Sequence, residues 1–226
     1  MNLLSMGGAY GWLEAWLYAT VVAGGTARLS QRFVDEAVPP VAPGGRVIDV
    51  GCGDGQVAQL LARRFADCPV TGIDLSPDMI ARGRKRAKGV ANPELCVGDA
   101  LDLPVDSDRV ALATTVASIK HWPDPMGGLR ELYRVLEPGG VLCLLEANPE
   151  CTLAAARAFV GTWRFLLPGT HGLAARYFRH VVAAQSPRAA DLEHKCRAVG
   201  FVELQTEQPA DVPVSVVRGH KPHAAA

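Results

Sequence analysis

The sequence predicts an α/β fold, a doubly wound parallel sheet with helices on its two faces. Short β-branched runs alternate with helical patterns five times between residues 46 and 146. A glycine-rich loop follows the first run, where sheets of this kind bind ligands. Because repeated strand–helix–strand units give parallel strands joined by right-handed crossovers, we expect one parallel sheet. A length of 226 residues requires no second domain, so a single domain over residues 1–226 is expected.

The alternation places five strands and the helices between them. The predicted strands cover residues 46–50, 70–75, 94–97, 110–116 and 141–146. Helices are predicted over residues 56–65, from Ser76 onward, and over residues 124–136. Ser76, Pro77 and Asp78 supply an N-cap, a proline at the first helical position and an early acid. Residues 137–140, Glu-Pro-Gly-Gly, are predicted to form the turn before the fifth strand.

The first 40 residues are predicted to form two helices, of which the second, residues 26–37, ends before Pro39 and Pro40. The first helix is apolar, but Glu14 interrupts it and no early lysine or arginine precedes it, so no stable membrane insertion is expected. Helical spacing of its apolar residues favours a helix packed on the domain over one lying on a membrane surface. These residues are Trp12, Leu13, Trp16, Leu17 and Val21.

After the fifth strand the alternation breaks. Residues 147–185, called the cover below, are predicted to be helical with no strand between them. A further helix is predicted to begin at Ser186 and Pro187 and to end at Gly200. The last two predicted strands cover residues 201–207 and 212–218.

Composition and charge limit the partners and the location. Lys+Arg and Asp+Glu both number 23, so the basic excess typical of nucleic-acid binding is missing and no nucleic-acid partner is expected. The cysteines have no CxxC spacing and the histidines no HxxxH spacing, so no metal site is predicted. Scattered cysteines are typical of reduced thiols in a cytoplasmic protein. The oligomeric state stays open between a monomer and a homodimer.

The glycine-rich loop is the first candidate site. Alternate glycines allow a sharp turn and the close approach of a ligand, and the following helix presents N–H groups to an anion. The loop comprises Asp49, Val50, Gly51, Cys52, Gly53, Asp54 and Gly55. A dinucleotide fingerprint needs a glycine at position 56, where Gln56 stands, so an NAD-dependent oxidoreductase is disfavoured. Alone, the loop is equally consistent with a tight turn that binds nothing.

Two acidic residues stand at the ends of the next strands. Asp74 ends the second strand, where a carboxylate can accept both hydroxyls of a ribose. Asp99 follows the third strand and can accept from an exocyclic amine of adenine, while the small Ala100 leaves room for the ring. Because ligands bind outside the carboxyl ends of the strands, one extended ligand can touch the loop and both acids.

Five segments form a recognisable set: Val-Ile-Asp-Val-Gly-Cys-Gly-Asp-Gly (47–55), Gly-Ile-Asp-Leu-Ser (72–76), Gly-Asp-Ala (98–100), His-Trp-Pro-Asp-Pro (121–125) and Leu-Tyr-Arg-Val-Leu-Glu-Pro-Gly-Gly (132–140). Together they resemble class I S-adenosylmethionine-dependent methyltransferases, with the group that includes ubiquinone and menaquinone biosynthesis methyltransferases as the nearest. The resemblance is dense over residues 40–146. It implies a Rossmann-like, seven-stranded sheet whose last strand is antiparallel.

The resemblance also implies a cofactor, S-adenosylmethionine, and the residues that hold it. Asp49 and the loop residues Gly51, Cys52, Gly53 and Gly55 would hold the methionine end, Asp74 the ribose, and Asp99 with Ala100 the adenine. Leu75 would also line the cofactor site, and Val116 would lie along the methionine side. A sulfonium methyl group needs no metal activation, so the rate is gained mostly by aligning the acceptor.

His121 is the candidate catalytic residue, because the motif places it beside the fourth strand as a base or acceptor ligand. A structural role packed on Trp122 and Pro123 is the alternative. Family members often have a second histidine where Lys120 stands here.

The cover is predicted to lie over the acceptor, with help from the N-terminal helices. It carries four arginines, Arg157, Arg164, Arg176 and Arg179, against the single acid Glu150. Arg176, Tyr177 and Arg179 are the candidate acceptor-binding residues. Arginines that extend to solvent are the alternative.

The predicted function is therefore methyl transfer from S-adenosylmethionine to a small, partly apolar acceptor. A protein or nucleic-acid methyltransferase and a non-catalytic cofactor-binding protein remain alternatives. An enzyme acting on nucleic acid would normally carry an Asn/Asp-Pro-Pro-aromatic motif after the fourth strand, where Ala117-Ser118-Ile119-Lys120 stands.

Overall fold

The computed structural model describes residues 23–86, 93–163 and 169–223. Most of the predicted first helix, including its apolar residues, lies outside the described residues, and so does Arg164 of the cover. The second predicted helix is present as α1 (Ala23–Arg32), which continues as a π-helical segment, Phe33–Ala37. It ends before Pro39 and Pro40, as predicted.

The strands and helices follow the predicted order closely. The strands are β1 (Val47–Val50), β2 (Val70–Asp74), β3 (Glu94–Val97), β4 (Val110–Val116), β5 (Leu136–Ala147), β6 (Val202–Glu207) and β7 (Val214–His220). The helices after α1 are α2 (Gln56–Arg64), α3 (Pro77–Arg86), α4 (Pro125–Val135), α5 (Leu153–Val160), α6 (His171–Tyr177) and α7 (Ala189–Val199). Gly200 ends α7 with a φ of +118°, a left-handed conformation that glycine adopts without strain.

The seven strands form one sheet in the order β3-β2-β1-β4-β5-β7-β6. Neighbouring strands are parallel from β3 to β5, whereas β7 runs antiparallel to both β5 and β6. The predicted parallel sheet and the antiparallel last strand are thus confirmed. The strand order reverses between β1 and β4, and in sheets of this kind the ligand site lies at the carboxyl ends beside that reversal.

The prediction of a turn at residues 137–140 was wrong in one respect. Leu136 already pairs with Val110, and pairing resumes between Val141 and Leu112, so the Glu-Pro-Gly-Gly segment is a bulge inside β5. Gly139 has a φ of +81° there. The proline and glycines interrupt the hydrogen-bonding pattern locally, but the strand continues on both sides of them.

Helices pack on both faces of the sheet, which confirms the doubly wound arrangement. On one face the core joins Phe33 after α1, Leu61 of α2 and Leu112 of β4. On the other face it joins Leu129 of α4 and Leu192 of α7 with the sheet. Charged side chains would be costly between these layers, so the buried acids described below need partners.

The cover is helical in its described part and has a core of its own. Phe159 and Phe178 pack with a ring-centroid separation of 5.0 Å, and Trp163 packs on both rings. Leu29 of α1 packs against this cluster. No helix within the described ranges is long and apolar enough to cross a membrane.

Candidate active site

The glycine loop turns sharply because three of its glycines adopt positive φ angles. Gly51, Gly53 and Gly55 have φ values of +70°, +56° and +77°, which L-residues rarely adopt. The N–H groups of Gly51 and Cys52 both donate to the carbonyl of Ile73, which ties the loop to β2. The loop therefore lies directly beside the end of the neighbouring strand.

Gly53 lies at the strand ends, close to the side chain of Met79. A Cβ atom at this position would meet only the Met79 methyl group, at 3.2 Å, among the described atoms within 4 Å. Gly51 is different, because a Cβ atom there would lie 1.8 Å from the Ser118 hydroxyl oxygen. Gly51 thus allows the segment after β4 to approach the loop, whereas a side chain at Gly53 would require the Met79 methyl group to move by a few tenths of an ångström.

Asp74 connects the loop to the ends of two further strands. Its Oδ2 accepts the N–H of Gly53 at 2.7 Å, and its Oδ1 accepts the N–H of Ser76 at 2.9 Å. Its backbone carbonyl accepts the N–H of Gly98, the residue after β3, at 3.0 Å. Since each carboxylate oxygen has two lone pairs, both keep capacity to accept a further hydrogen bond.

The ends of β2 and β3 expose apolar side chains beside this acid. Leu75 and Val97 are 53% and 49% exposed, unusual values for large hydrophobic residues in this molecule. Asp99 is exposed, with its Oδ1 accepting the N–H of Leu101 at 2.9 Å, and Ala100 is half-buried beside it. An uncovered apolar surface next to free carboxylate lone pairs is suited to a ring that carries hydrogen-bond donors.

Asp49 lies beneath the loop and not at its surface. Its side chain is buried, with an Oδ1 that accepts the Thr114 hydroxyl at 2.8 Å, and its carboxylate also accepts the backbone N–H of Ala58 in α2. Burial raises the pKa of Asp49 to about 7, and the charge of Asp74 adds to this rise. Burial, with these acids nearby, also raises the pKa of the Cys52 thiol. Both side chains lie on the buried side of the loop.

The segment after β4 brings His121 to the same edge of the sheet. Val116 ends β4, Ala117 turns the chain with a φ of +53°, and residues Ile119–His121 form one turn of 3₁₀-helix. The His121 side chain is exposed at its surface, but partial burial of the ring lowers its pKa to about 4, and the charge of Lys120 lowers it further. The imidazole is therefore neutral at physiological pH.

Glu146 is a residue at this edge that the sequence interpretation missed. It is 1% exposed near the end of β5, and its Oε1 accepts the N–H of Ile119 at 2.9 Å. Burial raises its pKa, while the nearby Lys120 charge and its hydrogen bonds act in the opposite direction. The available signal was an acid in a strand whose alternate residues, Leu142 and Leu144, face the core.

The candidate acceptor-binding residues of the cover have different surroundings. Arg176 and Tyr177 are exposed, and no described contact brings them to the strand ends. Arg179 is half-buried, and its charge acts on Cys151, whose backbone N–H bonds to Asn148 just after β5. Phe178, between them, points into the core of the cover.

The histidines, cysteines and acids of the described ranges form no cluster of three or more that could hold a metal ion. All six cysteines are free.

Comparisons with known proteins identify the family of this chain. A family model described as a methyltransferase domain matches residues 48–144, which contain the glycine loop, Asp74 and Asp99. The chain is 30% identical over 215 residues to the demethylmenaquinone methyltransferase of Clavibacter sepedonicus, across 91% of this chain and 86% of that protein. It is 35% identical over 133 residues to the chloroplastic 2-methyl-6-phytyl-1,4-hydroquinone methyltransferase 1 of Oryza sativa subsp. japonica, across 57% of this chain and 39% of that protein.

The chain spans about a third to two fifths of the length of the plant hydroquinone methyltransferases that it matches. Among solved structures, a SAM-dependent methyltransferase of Thermotoga maritima has a TM-score of 0.60 and 22% identity, with 92% of this chain and 94% of that chain covered. At that identity the likeness shows a shared fold.

Proposed function

Since the chain belongs to the class I S-adenosylmethionine-dependent methyltransferases, we propose that it transfers a methyl group to a small, partly apolar acceptor of the quinone or hydroquinone type. The observation that carries this proposal is the position of Asp74. Its carboxylate bonds to the glycine loop after β1 and its carbonyl to the residue after β3, so three strand ends form one continuous edge.

The residues at this edge fit S-adenosylmethionine. A Cβ atom at Gly53 would crowd the edge of the site beside the Met79 methyl group, and the glycine loop there would hold the methionine end, supported by Asp49 from below. Asp74 would accept the ribose hydroxyls through its remaining lone pairs. The exposed Leu75 would lie against the adenine, with Asp99 accepting from its amine and Ala100 leaving room. Val116 would line the methionine side.

When bound, S-adenosylmethionine supplies an electrophilic methyl group on a positively charged sulfur. The chain itself has to orient the acceptor and remove a proton from it. His121 is neutral above a pH of about 4, so a ring nitrogen can accept the proton of an acceptor hydroxyl. The neighbouring Lys120 would stabilise the negative charge that develops on the acceptor oxygen.

The names of the relatives indicate the acceptor class. Demethylmenaquinone and 2-methyl-6-phytyl-1,4-hydroquinone, named for the bacterial and plant relatives, share a quinone-type ring. Such a ring is small and partly apolar, as expected for a pocket between the sheet edge and the cover. Arg179 would contact the ring oxygens, with Arg176 and Tyr177 as further candidate contacts. The absence of a metal, of a nucleic-acid partner and of membrane insertion, and the cytoplasmic location, stay predictions.

Incubation with S-adenosylmethionine labelled on the methyl group tests this proposal. The acceptors compared are a hydroquinone with an apolar tail, the same ring without the tail, a protein mixture and total RNA. We expect label in the hydroquinones, with the tailed acceptor favoured, and the labelled atom would show whether carbon or oxygen is methylated. Label found only in protein or RNA, or no transfer despite cofactor binding, would refute the acceptor class.

A further inference from the structure

We infer that Glu146 is a positioning residue, which holds the turn at residues 118–121 in place between the glycine loop and the cover. The part of that turn in catalysis rests on the proposed function, whereas the hydrogen bonds that hold it do not. Glu146 itself is too deeply buried to touch an acceptor, so it would act through the turn.

The carboxylate of Glu146 accepts hydrogen bonds from the backbone of the turn. Its Oε1 accepts the N–H of Ile119 at 2.9 Å, and the carboxylate also accepts the N–H of Lys120. These are the amides at the start of the 3₁₀ turn that ends at His121. A buried carboxylate carries a large desolvation cost, so its presence here makes sense where two otherwise unpaired amides need an acceptor.

The second carboxylate oxygen reaches the far end of the cover. The Ser186 hydroxyl lies 3.5 Å from Oε2 of Glu146, and the Lys120 ammonium lies 3.5 Å from the same hydroxyl. Ser186 directly follows the cover in sequence and is buried. Glu146 therefore lies between the turn after β4 and Ser186, the residue that follows the cover in sequence.

The turn in its place contacts the glycine loop. The Ser118 hydroxyl occupies the space beside Gly51, where a Cβ atom would collide with it, and it accepts a hydrogen bond from the Trp122 indole at 3.0 Å. A shift of this turn would change the position of His121 relative to the loop. If the two buried amides lost their acceptor, the turn would shift, because leaving both amides unpaired would cost more free energy than moving the turn.

Two substitutions of similar volume separate hydrogen bonding from charge. Glu146→Gln and Glu146→Met both remove the negative charge, but only glutamine keeps an oxygen for Ile119 and an amide for Ser186. Ser215→Ala is the matched control. Ser215 lies directly opposite Glu146 in the β5–β7 pairing, is fully buried, and has a hydroxyl without a hydrogen-bond partner in the described part of the chain.

The first readout uses the protein without acceptor. The pKa of His121, measured by nuclear magnetic resonance, should rise from about 4 towards the ordinary value of about 6.5 in Glu146→Met, because a released turn removes the remaining partial burial of the ring. It should stay low in Glu146→Gln and Ser215→Ala. In the unaltered protein the Ile119 amide should exchange slowly with deuterium, and this measurement needs no variant that has to fold.

The second readout is kinetic. With a hydroquinone acceptor, kcat should fall at least about tenfold in Glu146→Met and by less than about threefold in Glu146→Gln. Cofactor affinity should change less than about twofold in both. Equal behaviour of the two variants, or fast exchange of the Ile119 amide, would overturn the inference. If no acceptor is methylated by the unaltered protein, the proposed function fails, and the His121 pKa and amide exchange still decide the role of Glu146.

Discussion

Replacement of Asp74 by alanine tests the donor side of the site directly. The change removes the acceptor of the Gly53 and Ser76 amides, found at 2.7 and 2.9 Å, and the lone pairs assigned to the ribose. A hydrogen bond to a charged group contributes about 1.5–3 kcal/mol, and water replaces part of this in the variant. We expect S-adenosylmethionine to bind about 2–4 kcal/mol more weakly, a loss of about 30-fold to 1000-fold in affinity.

Isothermal titration calorimetry with S-adenosylmethionine and its product measures this loss. Asp54→Ala is the matched control, because Asp54 belongs to the same loop but pairs with Arg86 at 2.6 Å instead of accepting the Gly53 amide as Asp74 does. The control should change affinity by less than about threefold, as expected for a partly exposed ion pair. A folded Asp74→Ala protein that binds within twofold of the unaltered chain would refute the ribose assignment.

Three further predictions concern the loop, the buried acid beneath it and the cover. Gly53→Val should abolish cofactor binding in calorimetry, whereas Gly44→Val, equally strained at a φ of +83° but with no atom within 4 Å of its Cβ, should bind normally. Asp49→Asn should raise the melting temperature. Because the folded-state pKa of Asp49 is raised to about 7, the unaltered protein loses folding stability as pH rises from about 4 to about 7. The stability advantage of Asp49→Asn should therefore grow over this range and then level off. A difference in melting temperature that does not depend on pH would contradict the burial argument. The double change of Arg176 and Arg179 to Gln should raise the acceptor KM or lower kcat at least about tenfold, about 1.4 kcal/mol, with cofactor affinity kept, and unchanged kinetics would assign both arginines to solvent.

The strand ends that would hold the cofactor could be predicted from the sequence because their elements are local. The predicted boundaries of β3 and β4 agree with the structure, and Asp74 and Asp99 stand at strand ends that their own neighbours define. The roles of Gly51 and Gly53 can also be predicted from the sequence, because few other residue types adopt their positive φ angles. Parallel strands then bring these positions to one edge without further information.

Glu146 could not be predicted in the same way, because its partners are distant in the chain. Ile119 lies 27 residues before it and Ser186 lies 40 residues after it. The sequence shows an acid at the end of an apolar strand, but only the packing of three segments reveals which amides it serves. The bulge in β5 was missed for a related reason, since proline and glycines predict a turn and the strand pairing on either side depends on β4.

Positive charge is concentrated in and just after the cover. The chain has equal numbers of acidic and basic residues, yet residues 151–190 contain five arginines and no aspartate or glutamate. At the donor edge, Asp74 and Asp99 are acids, which suits the positively charged sulfonium and the donor groups of a nucleoside. A positive cover above an acidic edge would favour an acceptor whose electron-rich oxygens face the arginines. Substitutions in the cover should therefore change which acceptor is methylated, while substitutions at the edge should change whether the cofactor binds at all.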